Sequence, residues 1–294
     1  MTPPAFTKFD NFNKDSRTVG LLFWFQELIS LFLIYAFSRM DMQLASVLTS
    51  VLSISGAIWF GRVRAKIHFS KEDFKKTFTW KAFGNSFLVM SGLSMLGMSF
   101  ILFVNALIVF VTGRDLPVPE FTFDFSQFSS WLLLIDVCIL GPILEELLFR
   151  GIILRTLSKY HVGFAIVSSS IIFGMYHMYL TQGFHAFLIG LVFAYVAIKS
   201  KSLLYPILLH IVHNTVTTLS SLAPSLALVS SVFRLACLIY LFYWASKHLG
   251  ALKQEKEADP MAYPLYSQLF LRVSFILLIG FILLENIGSL FMGL

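Results

Sequence analysis

An apolar segment of this chain reads Gly141-Pro142-Ile143-Leu144-Glu145-Glu146-Leu147-Leu148-Phe149-Arg150, with two adjacent glutamates and an arginine in it. Each ionised side chain near the middle of a bilayer costs at least ~2.5–3.5 kcal/mol on insertion scales. Two further apolar segments carry polar side chains, Phe173-Gly174-Met175-Tyr176-His177 and His210-Ile211-Val212-His213-Asn214. Because charges kept at such a cost usually serve a function, we interpret the three segments as parts of one buried polar site.

The composition is that of a membrane protein. Apolar residues make up 57% of the 294 residues and charged residues only 13%, whereas soluble domains are about 45–50% apolar and 25% charged. Windows of roughly 20 apolar residues, the length that crosses the hydrocarbon layer, fall at about 19–37, 42–60, 83–112, 128–154, 163–180, 183–199, 203–222, 225–246 and 269–291. The sequence therefore predicts an all-α, polytopic transmembrane helical bundle of eight or nine spans.

The basic residues are distributed unevenly between the two sides of this bundle. With a cytoplasmic N-terminus, 18 of them fall in cytoplasmic segments and only Arg39 and Arg114 fall outside. The positive-inside rule then selects nine spans and an external C-terminus. The net charge of +6 thus comes from basic residues in the cytoplasmic segments of a membrane protein. We therefore expect the lipid bilayer as a partner and no nucleic acid. Segment 61–82 is predicted to be an amphipathic helix on anionic headgroups.

The chain divides into three parts on this interpretation. Residues 1–127 hold the N-terminal transmembrane helices and the basic cytoplasmic connector, 128–222 hold the polar segments, and 223–294 hold the C-terminal transmembrane helices. Pro142 gives the long window 128–154 a natural place to bend.

The two glutamates have different expected partners. On a helix, Glu146 lies four residues before Arg150, which is the favourable order for an ion pair. Glu145 points about 100° away from Glu146 and is a poorer partner for the arginine. An unpaired carboxylate that faces a cavity can serve as a general base for water. The alternative is a polar clasp in which all three side chains only hold helices together.

The histidines and the asparagine complete the predicted site. His177 follows Phe173 by one helical turn, although a lone histidine in a membrane helix often only bonds to a neighbouring helix. His210 and Asn214 are also one turn apart and face the same cavity. An imidazole and a carboxamide on one face can hold a carbonyl oxygen as it becomes an oxyanion. This pairing favours a hydrolytic site.

Taken in order, the three motifs Glu-Glu-x-x-x-Arg, Phe-x-x-x-His and His-x-x-x-Asn resemble those of the CPBP intramembrane proteases. That family includes the CAAX prenyl endopeptidases and the bacterial Abi proteins linked to bacteriocin processing and self-immunity. The matching positions lie within 128–222 and are Glu145, Glu146, Arg150, Phe173, His177, His210 and Asn214. The resemblance implies Glu145 as the activator of water, His177 as its helper, and His210 with Asn214 as the oxyanion site. Glu146, Arg150 and Phe173 are supporting residues.

The resemblance also implies an endopeptidase acting on a membrane-associated or amphipathic peptide, in the plasma membrane of a bacterium. A scaffold or immunity protein of the same fold, which binds without cleaving, is one alternative, and a proton-coupled transporter is another. Glu145, His177 and His210 could in principle form a zinc site. We expect no metal or other cofactor, because the His-Glu-x-x-His spacing of zinc proteases is absent.

Overall fold

A computed structural model describes residues 5–118, 122–256 and 262–292. Within those ranges the chain forms ten helices and no strand, as the sequence predicted. The helices are α1 (Ala5–Ala36), α2 (Met42–Ala65), α3 (Trp80–Thr112), α4 (128–158), α5 (Val162–Tyr176), α6 (Leu180–Ser200), α7 (Leu204–Leu222), α8 (Pro224–Lys256), α9 (Ala262–Phe270) and α10 (Val273–Met292).

Five of these helices are long and apolar enough to cross a membrane. They are α1 from Asn11, α2, α3, α6, and α8 over Ser225–His248, while α5 and α10 are shorter apolar helices. Large apolar side chains such as Phe110 (89% exposed) and Val111 (80%) lie on the outside, where lipid would cover them. The chain is an all-α membrane bundle, and the count of eight or nine spans stays a prediction.

Helix α4 is continuous but irregular. It consists of α-helical Phe128–Ile135, a π-helical turn at Asp136–Leu140, α-helical Gly141–Leu148, a second π segment at Phe149–Leu154 and a last α-helical turn at Arg155–Ser158. The first π turn immediately precedes Pro142, whose ring clashes with the α-helical carbonyl four residues back and whose nitrogen has no hydrogen to donate. The irregularity expected at the proline is therefore a π-bulge, a feature often found at functional sites.

The predicted surface helix at 61–82 is wrong. Helix α2 continues to Ala65, only Lys71–Phe74 forms a short 3₁₀ turn, and α3 begins at Trp80. This connector is tied to the bundle by several bonds. Arg155 donates to Asp73 at 2.7 Å, the backbone carbonyl of Asp73 accepts from the amide of Leu203 at 2.7 Å, and the hydroxyl of Thr77 donates to the carbonyl of Ser200. These tertiary contacts replace the helix that the charge pattern favoured.

Helices α5 and α6 pack closely through two glycines. A Cβ on Gly174 would lie 2.6 Å from the carbonyl oxygen of Gly183, and a Cβ on Gly183 would lie 2.7 Å from that of Gly174. No larger residue fits at this crossing. The approach brings the Phe173 end of α5 against the middle of α6, where the ring of Phe173 lies close to Gly190.

Candidate active site

The centre of the site is a buried cluster of Glu146, Arg150 and His210. One oxygen of Glu146, Oε1, accepts from Arg150 Nη1 at 3.0 Å and from His210 Nδ1 at 2.9 Å. The side chains of Glu146 and Arg150 are fully buried, and that of His210 is 3% exposed. The ion pair expected from the spacing is thus present. The contact with His210 adds a link between α4 and α7, and a buried pair satisfied in this way holds its members in one geometry.

Aromatic rings and a backbone carbonyl enclose Arg150. Its Nη2 donates to the carbonyl of Gly190 at 3.0 Å. The guanidinium lies 4.5 Å from the ring centroid of Phe173 and 5.2 Å from that of Phe193, both favourable cation–π distances. Phe193 in turn stacks on the ring of His210, with centroids 4.8 Å apart. The supporting role predicted for Phe173 corresponds to a wall of this enclosure.

Glu145 lies on the other side of His210. Its Oε2 is 3.8 Å from His210 Nε2, too far for a direct hydrogen bond, and its side chain is 18% exposed. It makes no ion pair with Arg150 among the described residues. The imidazole of His210 therefore lies between two carboxylates, bonded to Glu146 through Nδ1 and turned towards Glu145 through Nε2.

His177 comes near this cluster without touching Glu145. Its Nδ1 is 2.8 Å from the carbonyl oxygen of Phe173. A carbonyl only accepts, so Nδ1 carries the hydrogen and Nε2 is left as an acceptor in the neutral ring. The Phe173 ring lies 4.9 Å from the His177 ring and 5.7 Å from the His210 ring, centroid to centroid. In the described part of the chain, His177 and Glu145 share no hydrogen bond or ion pair, so a helper role requires an intervening molecule.

Asn214 has a structural partner that sequence reasoning missed. Its Nδ2 donates to the backbone carbonyl of Val137 at 2.9 Å. The backbone donors that would ordinarily reach this carbonyl are unavailable. Gly141, four residues on, donates to Asp136 instead, and residue 142, the π-helical partner five residues on, is a proline without an N–H. The carboxamide of Asn214 thus supplies the donor that Pro142 lacks. It has a second N–H left for another acceptor.

Two contributors to the site, Gly190 and Phe193, were not predicted. Gly190 offers only a backbone carbonyl and the absence of a Cβ, which would lie 3.3 Å from Arg150 Nη2. Phe193 resembles any other core aromatic in the sequence. Asp136 is 6% exposed, and its Oδ1 has no hydrogen-bond partner in the described part of the chain. In the sequence, Asp136 is signalled by its position in an apolar window and on the helical stripe that leads to Arg150.

The side chains of the site can be compared with the set of ligands that a metal ion requires. Among the described residues, no three His, Cys, Asp or Glu side chains are arranged to hold an ion. Glu146 is bonded to Arg150 and His210, which leaves Glu145, the Nε2 of His210 and the Nε2 of His177 as the free donors near the cluster. The expectation that no metal is needed stays a prediction.

Comparison with known proteins finds similar sequences for the part of the chain that holds this site. Residues 127–216 match the family model described as "Type II CAAX prenyl endopeptidase Rce1-like". The chain is 35% identical over 117 residues to the "Putative membrane peptidase YdiL" of Bacillus subtilis (strain 168). That alignment covers 40% of this chain and 48% of the relative, so the chain spans about half the length of the curated protein that it matches. No solved structure matches. The matched region contains every motif residue described above, and over that region the chain is similar to the Rce1-like endopeptidases.

Proposed function

We propose that this protein is an intramembrane endopeptidase that hydrolyses a peptide bond of a membrane-associated or amphipathic peptide. The observation that carries the proposal is the position of His210 between Glu146 and Glu145. One carboxylate is fixed by Arg150 and holds the imidazole. The other is partly exposed, without an arginine partner, and faces the free nitrogen of the same ring. Such a pair of unequal carboxylates is the usual arrangement for acid–base work on a substrate.

In the proposed reaction, Glu145 takes a proton from a water molecule as the water oxygen adds to the scissile carbonyl carbon. His210 Nε2 and the second N–H of Asn214 hold the carbonyl oxygen as negative charge develops on it. Nε2 can donate only when both nitrogens of the His210 ring carry a proton. Glu146 beside Nδ1 and Glu145 beside Nε2 would stabilise the positive charge of that ring. Glu145 then returns its proton to the leaving amine as the C–N bond breaks. The free Nε2 of His177 would accept a hydrogen bond from the attacking water.

No metal takes part in this proposal. A glutamate acting on water, with an imidazole and a carboxamide at the oxyanion, uses the residues present without requiring a metal. Zinc dependence is therefore an outcome that experiment can reject directly.

The surroundings of the site limit its substrates. It lies among helices that cross a membrane, so the scissile bond has to reach it from the bilayer or its surface. We also propose the plasma membrane of a bacterium as its location, with a cytoplasmic N-terminus, on the strength of the asymmetric basic residues. The family resemblance makes a lipid-modified peptide one substrate to test.

The test compares membrane peptides from cells that produce the wild-type protein, Glu145→Gln or Glu285→Gln. Glu285 is an exposed carboxylate on α10, outside the site, and serves as the matched control. We expect peptides with new termini in the wild-type and Glu285→Gln cells and their uncleaved precursors with Glu145→Gln, at equal protein levels. Identical peptides with all three would reject proteolysis. A binding scaffold or immunity protein would then be favoured if Glu145→Gln cells kept the phenotype of the wild type.

A further inference from the structure

A basic cleft lies away from the candidate active site, where α1, α2 and α4 approach one another. It has a volume of about 380 Å³. The charged residues that line it are Lys14, Asp15, Arg64, Lys66 and Lys159, and Tyr160 adds a hydroxyl. They come from three separate elements, so the cleft is a product of the fold and not of one charged run.

The residues that line this basic cleft carry more positive than negative charge. Its single carboxylate, Asp15, already accepts from Lys159 Nζ at 3.2 Å and from the Tyr160 hydroxyl at 2.9 Å. Four basic side chains against this one carboxylate leave a net charge of +3. Among the side chains that the structure describes, which begin at Asn11, no carboxylate lies within ion-pairing distance of Lys14, Arg64 or Lys66, and all three side chains are exposed. Cations that face one hollow repel one another, and a bound anion would relieve that repulsion.

The position of the basic cleft along α1 and α2 indicates how deep it lies in the membrane. The apolar window of α1 begins at about residue 19 and that of α2 ends at about residue 60, so the cleft residues of both helices lie just beyond the ends of these windows. On α2, the two turns before Arg64 expose Trp59 (64%) and Val63 (60%). An exposed tryptophan next to basic residues is typical of the boundary between hydrocarbon and headgroups. Acyl chains can pack on this apolar surface while a headgroup lies in the cleft.

We propose that the basic cleft binds a phosphate-bearing anion, the headgroup of an anionic phospholipid. Basic pockets between transmembrane helices on the cytoplasmic side recognise such headgroups. A free phosphorylated compound offers the same chemistry, and the experiment has to separate the two sources. The proposal is independent of proteolysis, since the cleft uses no residue of the candidate active site.

The test uses the full chain, purified in detergent, and counts bound lipid by native mass spectrometry. The probes are phosphatidylglycerol, phosphatidylcholine and inorganic phosphate. The cleft variant is Arg64→Gln with Lys66→Gln. The matched control is Lys71→Gln with Lys76→Gln, which removes the same charge from exposed positions of the connector outside the cleft. Lys14→Gln, on a different helix, is a second cleft variant, and the unfolding midpoint in phosphatidylcholine alone reports whether each variant is folded.

We expect phosphatidylglycerol to bind the wild type and the control equally and the double cleft variant roughly tenfold or more weakly, on the scale of the attraction of a basic residue to an anionic surface. Lys14→Gln should weaken binding in the same direction. Failure of inorganic phosphate to displace the lipid identifies the headgroup as the ligand, whereas equal competition identifies a free phosphorylated compound. Equal loss in the cleft and control variants, or no preference for phosphatidylglycerol over phosphatidylcholine, would overturn the proposal.

Discussion

Removal of the Asn214 carboxamide should destabilise the protein through the backbone of α4. Its Nδ2 is bonded to the Val137 carbonyl at 2.9 Å, and neither Gly141 nor Pro142 can take over, the first because it donates to Asp136 and the second because it has no N–H. This bond is partly buried, and a typical intramolecular hydrogen bond contributes about 0.5–1.5 kcal/mol to stability. We therefore expect Asn214→Ala to lower the free energy of unfolding by about that amount.

A second substitution, Pro142→Ala, tests whether the missing backbone N–H is the reason why the bond from Asn214 stabilises α4. Pro142→Ala restores an N–H at the position whose donor is missing. In the Pro142→Ala background, Asn214→Ala should cost less, with a coupling of about 0.5–3 kcal/mol between the two sites. The assay is equilibrium unfolding of the four proteins of the cycle in mixed micelles. Asn105→Ala is the control, because the Asn105 side chain bonds to Asp115 and Leu116, and its effect should add to that of Pro142→Ala.

Additive effects of Pro142→Ala and Asn214→Ala, within about 0.5 kcal/mol, would refute the argument that Asn214 replaces the missing backbone donor. Cleavage by the same proteins answers a separate question. If the double variant regains stability without activity, Asn214 also has a chemical role. If it regains both, the bond to Val137 is the whole contribution of Asn214, and its place in the oxyanion site is wrong.

Three further predictions concern the charged cluster, the topology and the metal. Glu146→Gln or Arg150→Ala should reduce folded yield by size-exclusion chromatography, because breaking a buried pair costs about 3–5 kcal/mol, and a yield like that of Glu145→Gln would argue against the pairing. Cysteines introduced at Lys76 and Ser126 should react with an impermeant reagent from opposite sides of the membrane, since native Cys138 and Cys237 are buried, and labelling of both from one side would reject the proposed topology. Protein dialysed against a strong chelator and metal-free by elemental analysis should keep its activity, whereas activity that is lost on dialysis and restored by zinc would overturn the metal-free mechanism.

The parts of the site that lie within one helix were predictable from spacing. Glu146 and Arg150 are four residues apart, and their ion pair forms although Arg150 lies in a π segment. The placement of Glu145 away from the arginine follows from the same helical geometry. The helical fold was predictable for a similar reason, because apolar windows of the right length leave few other structures possible in lipid.

Contacts between helices were not predictable in the same way. The bond from His210 to Glu146 depends on the rotation of α7 against α4, which no spacing within either helix determines. The bond from Asn214 to Val137 was not foreseen, because a sequence motif shows side chains and not the carbonyl that the π turn and Pro142 leave without a donor. Gly190 contributes a carbonyl oxygen, which every residue has.

The connector shows the limit of charge patterns. Its basic residues suggested a helix on the membrane surface, but Asp73 bonds to Arg155 and to the backbone of Leu203 instead. Asp73 also accepts from the amide of Ser70. Partial burial raises the pKa of Asp73, and the bonds from Ser70 and Arg155 outweigh it, so the net pKa is lowered. These bonds hold the segment in a compact turn, where tertiary contacts outweigh its local preference.

The most direct test of the central claim is hydrolysis by the purified protein in proteoliposomes, carried out in water enriched in ¹⁸O. The substrate is a membrane peptide identified by its accumulation with Glu145→Gln. Mass spectrometry of the products should show one ¹⁸O atom in each new terminal carboxylate with the wild-type protein and with Glu285→Gln, and no product with folded Glu145→Gln. Cleavage by Glu145→Gln at the wild-type rate would contradict the assignment of Glu145 as the base that activates water.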